Sequence, residues 1–257
     1  MDKVIYYSDE LNDEFAGDNI VPIKIDKNYK YIHKGLFKAF THFFWYRVVA
    51  TPIAYLYLKI KFRHKIINKK KVKGLEGYFM YGNHTQNIGD AFVPSMISIP
   101  KDVYVIVHPN NVSMPYLGKI TPSLGAVPLP DDLEATKNFI ECIRYRINKK
   151  KAVCIYPEAH IWPYYTKIRP FKDLSFRYPV DMNKPVIVFT NVYLKRKHSK
   201  NPRIVTYIDG PIYPNLNLSK KEAREELRNK AYEIMCKRSK LSNIEIIKYV
   251  KRGNWND

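Results

Sequence analysis

The chain is poor in cysteine, in acidic residues and in uninterrupted apolar runs. Only Cys142, Cys154 and Cys236 occur in 257 residues, with no CxxC spacing. That excludes a disulfide framework and a zinc knuckle, and it predicts reduced thiols in a cytosolic setting. Asp and Glu number 24 against 44 Lys and Arg, for a formal net charge of +20. Such an imbalance predicts an anionic partner: nucleic acid, lipid headgroups or a polyanionic co-substrate. The most apolar region, residues 35–60, is interrupted by Lys38, His42, Arg47 and Pro52. It therefore falls short of the roughly 20 predominantly apolar residues of a spanning helix. The acidic start lacks a basic-then-apolar pattern, which predicts no signal peptide. His64, His84, His108 and His160 show no ligand spacing, so no metal and no bound cofactor are expected. No nucleic-acid motif, internal repeat or low-complexity linker is visible, so nucleic acid is not the expected partner.

What is present suits one large α/β domain, or one domain with a small appendage. Residues 1–34 open with an acidic segment: Asp2, Asp9, Glu10, Asp13, Glu14 and Asp18 against Lys3. It either folds back on a basic surface or stays a loosely ordered tail. Residues 35–73 form an aromatic and basic stretch. Its first part reads as a helical segment lying in a membrane interface, with Trp45 and Tyr46 at headgroup depth and Arg47 snorkelling. The competing reading is a buried helical hairpin. Its second part carries eight Lys and Arg and no acid over residues 59–73, including Lys69, Lys70 and Lys71. Beside an apolar segment this predicts a patch for anionic lipid on the cytoplasmic side of a membrane, held peripherally or monotopically. A solvated charge run is the plainer alternative.

From residue 74 to 257 the pattern alternates. Apolar runs at 78–81, 103–107, 125–129, 152–157, 186–194 and 203–210 predict strands. Between them, residues 131–148 place Thr136, Phe139, Ile140, Ile143 and Ile147 on one helical face. Ser219 and Glu222 form a capping box for a second helix. The fold class is therefore α/β, with a central mostly parallel or mixed sheet flanked by helices and an N-terminal membrane-associated helical segment.

Two stretches carry chemistry. In "YGNHTQNIGD", residues 81–90, His84 and Asp90 cannot share a helical face, but Asn83, Asn87 and Gly89 allow a turn that brings them together. A carboxylate on one ring nitrogen would fix the tautomer of a general base. Alternatively, Asp90 caps a helix and His84 merely ends a strand. In "CIYPEAHIWPYYTKIRPFK", residues 154–172, Glu158 stands at a strand's C-terminal edge, where open α/β sheets bind ligands. His160, Trp162, Tyr164, Tyr165, Lys167, Arg169 and Lys172 follow. That mixture suits a phosphate-bearing amphiphile, or else a surface loop packed on its neighbours.

Together, "NHTQNIGD", "SLGAVPLP" (123–130), "YPEAH" and "KPVIVFTNVY" (184–193) resemble the four blocks of the glycerolipid acyltransferase family, over roughly residues 74–194. That family carries Asn-His-x4-Asp, a Gly block, Phe-Pro-Glu-Gly-Thr-Arg and a Val-Pro block. The resemblance implies an acyltransferase like those that acylate 1-acylglycerol-3-phosphate, in phospholipid biosynthesis. Its co-substrates would be a lysophospholipid and acyl-CoA or acyl-carrier protein. His84 would be the base, Asp90 its partner and Glu158 a positioning carboxylate. Asn83, Thr85, Gly125, His160, Lys167 and Arg169 would border the substrates. Three departures stand out: five residues between His84 and Asp90, Ala159 at the Gly position, and neither of the family's motif arginines in place. They keep open a catalytically altered relative that serves as a membrane scaffold, beside the different class of a basic nucleic-acid-binding module.

Overall fold

The structure is a computed structural model that describes residues 3–17 and 20–253. Asp2 and Asp18 of the acidic segment lie outside the described residues. The strands are β1 (Lys3–Tyr7), β2 (Lys65–Ile67), β3 (Tyr78–Gly82), β4 (Val103–Val107), β5 (Ala126–Pro128), β6 (Ala152–Ile155), β7 (Val186–Leu194), β8 (Arg203–Ile212) and β9 (Ile247–Lys251). The helices are α1 (Leu36–Phe43), α2 (Thr51–Phe62), α3 (Gly89–Ser98), α4 (Asn110–Ser113), α5 (Leu133–Asn148), α6 (Arg177–Met182) and α7 (Lys220–Ser239).

Seven strands form one sheet in the order β2-β8-β7-β3-β6-β4-β5. The five from β7 to β5 run parallel, and β8 is antiparallel to β7. The expected mostly parallel sheet is therefore present, with reversed strands at one edge. Both faces are covered, which explains the near-continuous apolar runs. Phe79, Tyr81, Val153 and Ile155 point to the layer holding α5 and α7, while Tyr78, Met80, Ala152 and Cys154 point to α2 and α3. This is the two-residue alternation of a strand buried on both sides. Asp132 caps α5, and the Ser219–Glu222 capping box starts α7.

The N-terminal region joins this body. Ile25 and Tyr31 are buried in the α5 layer. β1 pairs in parallel with β9, so the two ends of the chain meet in a small second sheet. Residues 36–62 are not a hairpin. They form one continuous helical run, with π-helical turns at Phe44–Ala50 between α1 and α2. Ala54, Leu58 and Phe62 bury one side of that run against α3 and the sheet. The opposite side leaves Leu36, Phe37, Phe40, Phe43, Val48, Leu56 and Ile60 exposed. Among the described residues, no helix is long and apolar enough to cross a membrane.

Candidate active site

Strand β3 ends at Gly82, where the backbone passes against the ring of Phe189; a Cβ there would sit 2.1 Å from that ring. Only glycine permits the approach. The next residue, Asn83, splices β3 to β7: its amide donates to the Asn191 carbonyl (3.1 Å) and accepts from the Asn191 N–H (2.8 Å). The chain then turns through residues 84–88 into α3, with Asp90 in the first helical turn.

That turn brings the predicted pair together. His84 Nδ1 lies 2.9 Å from Asp90 Oδ2. The same oxygen accepts the Gln86 N–H at 2.8 Å. The extra residue between His84 and Asp90 is absorbed in the turn, where Ile88 is exposed. Asp90 is 2% exposed and the His84 side chain 17%. With Nδ1 donating to a carboxylate, Nε2 is the ring nitrogen left with a lone pair. Among the described residues, no protein group hydrogen-bonds that nitrogen. Tyr156 stacks on the imidazole, centroids 4.3 Å apart, and its hydroxyl donates to the Asp90 carbonyl at 2.5 Å. Burial raises the Asp90 carboxyl above its ordinary range, against the opposing pull of His84 and nearby N–H groups.

Glu158 sits behind the histidine, fully enclosed. Its Oε2 accepts the backbone N–H of His84 (2.7 Å) and its Oε1 that of Arg169 (2.8 Å). Both oxygens thus hold backbone rather than ligand. Burial, its largest influence, pushes this carboxyl up despite the Arg169 charge. The loop after Glu158 is stitched to the His84 turn by Trp162 N–H to the His84 carbonyl and Tyr164 N–H to the Thr85 carbonyl. Ala159 takes φ 63°, the left-handed region that explains a glycine at this place in related motifs.

Several predicted binding residues turn inward. Asn83 is consumed by the β3–β7 splice. The Thr85 hydroxyl is buried 2.6 Å from the Tyr193 hydroxyl. Gly125 is a turn glycine at φ 92°, where a Cβ would strike the Val103 carbonyl oxygen at 2.4 Å. Arg169 is 1% exposed. Its guanidinium donates to the carbonyls of Glu158, His160 and Glu10, and it lies 4.9 Å from the Trp162 ring centroid. It is a structural cross-link, because a buried guanidinium must spend its donors where carbonyls converge. His160 stays half-buried, 3.5 Å from Glu14, and Lys167 is exposed. Of the predicted membrane residues, Tyr46 is buried and accepts the Val103 N–H at 2.9 Å, supplying a partner where β4 starts. Arg47 turns back to pair with Asp102 at 2.5 Å. Those two therefore do not face outward. Trp45 is half-buried, and Lys69, Lys70 and Lys71 lie exposed in a 3-10 turn, with Lys71 3.4 Å from Asp209.

Sequence reading did not single out Tyr156, Gln86, Tyr193 or Asn191, which enclose the dyad. Their only trace was membership of apolar strands or of the turn itself. Two surface cavities of about 330 Å³ lie elsewhere: one between α6 and the start of α7, the other along Ile53, Leu56, Tyr57, Ile60 and Lys61 of α2.

A family model described as Acyltransferase matches residues 63–194, just over half of the chain. No curated protein matches it. Among solved structures, the crystal structure of the 1-acyl-sn-glycerophosphate (LPA) acyltransferase PlsC from Thermotoga maritima superposes with a TM-score of 0.57 at 17% identity, covering 79% of this chain and 86% of that one. At that identity the likeness shows a shared fold. With the fold, the motif order and the family match agreeing, the chain belongs to the acyltransferase family.

Proposed function

We propose that this acyltransferase moves a fatty acyl group from a thioester, acyl-CoA or acyl-carrier protein, to a free hydroxyl of a lysophospholipid such as a 1-acylglycerol-3-phosphate. The observation that supports it most is the 2.9 Å contact between His84 Nδ1 and Asp90 Oδ2, which leaves Nε2 without a protein partner among the described residues. In this reading Nε2 takes the proton of the acceptor hydroxyl. The oxygen attacks the thioester carbonyl, the C–S bond breaks, and the thiolate leaves with the proton held by His84. Asp90 fixes the ring and balances the imidazolium. Glu158 serves by anchoring the His84 backbone. No acyl-enzyme is required, and both Cys142 and Cys154 are buried with thiols pushed up by burial.

The substrate's home supports the same reading. The outward apolar side of residues 36–60 would rest in the headgroup region, and exposed Lys69 and Lys70 would meet anionic lipid. In this reading the enzyme works peripherally or monotopically on the cytoplasmic face of a membrane. Incubating the purified protein with acyl-CoA or acyl-carrier protein and a panel of lysophospholipids, then reading the lipids by mass spectrometry, tests it. A diacyl product from at least one lysophospholipid is expected. A panel that yields none contradicts the proposal.

A further inference from the structure

The dyad does not end at Asp90. Its second oxygen, Oδ1, accepts from Asn191 Nδ2 at 3.4 Å. Asn191 Oδ1 in turn accepts the Thr206 hydroxyl at 2.6 Å. Thr206 Oγ1 lies 2.8 Å from His64 Nε2. All three side chains are buried, and they cross the sheet from β7 through β8 to His64, which lies between α2 and β2.

The directions are fixed by elimination. An ionised Asp90 accepts only, so Asn191 turns its amide nitrogen towards it and its oxygen away. That oxygen needs a donor, which is the Thr206 proton. The hydroxyl is then left as an acceptor, so His64 must donate through Nε2. Burial, followed by the Lys59 charge, lowers the His64 pKa to about 4, so the ring is a neutral single-tautomer donor at ordinary pH. Every bond in the row points its positive end at Asp90. On the other side, His84 Nδ1–H and Gln86 N–H converge on Oδ2. The other titratable groups that act on Asp90's surroundings are Tyr156, Cys154 and Tyr193, all buried with raised pKa values.

We propose that Asn191, Thr206 and His64 are positioning residues for acyl transfer, forming a one-way row of donors that holds Asp90 as an ionised acceptor in a single rotamer facing His84. The inference rests on the reading of His84 as the base. It also gives a buried polar residue in each of two strands a purpose that packing does not. Removing the row would concentrate charge on Asp90 Oδ2 and strengthen its hold on the imidazolium. Less His84 would then be unprotonated at a given pH.

The test uses the full-length protein with oleoyl-CoA and 1-oleoyl lysophosphatidic acid across the pH range. Thr206→Val keeps the shape and deletes the hydroxyl. It should lose about fivefold in kcat with both KM values unchanged, the effect of one neutral hydrogen bond of about 1 kcal/mol. Its acidic limb should move to higher pH, and Thr206→Ser should restore most of the loss. If Thr206→Val keeps the wild-type kcat and limb while His84→Ala abolishes turnover, the row is overturned and the base stands. If His84→Ala itself turns over normally, both fall. Nitrogen NMR of the unmodified protein decides the matter even if Thr206→Val fails to fold: His64 should be neutral and protonated on Nε2, and an Nδ1-protonated or charged ring at neutral pH overturns the row.

Discussion

His84 Nδ1 and Asp90 Oδ2 lie 2.9 Å apart although five residues separate them in the chain. The contact exists because a turn returns the chain to the sheet edge and α3 starts with Asp90 in its first turn. A histidine so held differs from a strand-end histidine in having one nitrogen committed and the other available.

Replacing Asp90 by Asn separates stability from activity. Burial raises the Asp90 carboxyl in the folded protein above its unfolded value. A carboxyl raised in this way favours folding most below its unfolded pKa, and that advantage is lost as pH rises through the folded value. At neutral pH the ionised group is therefore a cost. Asp90→Asn should raise the melting temperature at neutral pH, while acyl transfer falls about 10³-fold or more because the tautomer is no longer imposed. Calorimetry beside a turnover assay reads both. A less stable Asn variant contradicts the burial argument.

Ala159 carries a side chain in left-handed backbone at φ 63°. Ala159→Gly should stabilise the protein by about 1 kcal/mol, since glycine avoids the Cβ penalty there. Chemical denaturation checks it, with an unchanged or lower midpoint as the contrary result. Activity should stay within twofold or so, because the backbone is already where the motif needs it.

Arg169 would be the obvious phosphate ligand if the loop were read for charge alone. Its donors instead go to three carbonyls, including Glu10 of the N-terminal segment. Arg169→Met should cost roughly 2–3 kcal/mol, since buried acceptors lose a charged donor. At a temperature where the variant stays folded, the KM for a phosphate-bearing acceptor should be unaltered. A large rise in that KM with stability intact would return Arg169 to the substrate.

Much of the architecture was legible because it depends on local pattern. The six internal strands alternate or run apolar, and the capping box of Ser219 and Glu222 marks α7 without any tertiary information. The pairing of β1 with β9 was not legible, since a five-residue strand finds its partner at the opposite end of the chain. Nor was the inward turn of Tyr46, which depends on the unpaired Val103 N–H that only the folded sheet presents. At the site, His84, Asp90 and Glu158 stood out by residue type and order. Arg169 misled for the opposite reason: a cation-rich loop reads as ligand-binding until Trp162 and the Glu10 carbonyl are placed beside it.

The exposed apolar side of residues 36–60 and the lysines after it should act together on a lipid surface. Lys69→Glu, Lys70→Glu and Lys71→Glu combined should weaken binding to phosphatidylserine-containing vesicles at least 100-fold at low salt, at roughly 1 kcal/mol per charge. Phe40→Glu with Ile60→Glu should weaken binding to neutral vesicles as well, because it removes the apolar contact. Sedimentation with vesicles measures both. Undiminished binding in both variants would place the membrane contact elsewhere.

The most direct measurement is the rate of acyl transfer by purified His84→Ala, with vesicle binding and circular dichroism as controls for docking and fold. A fall of at least 10²-fold in kcat, with vesicle binding retained, is expected for loss of a general base. Turnover at the wild-type rate in a folded, membrane-bound His84→Ala protein would contradict the account.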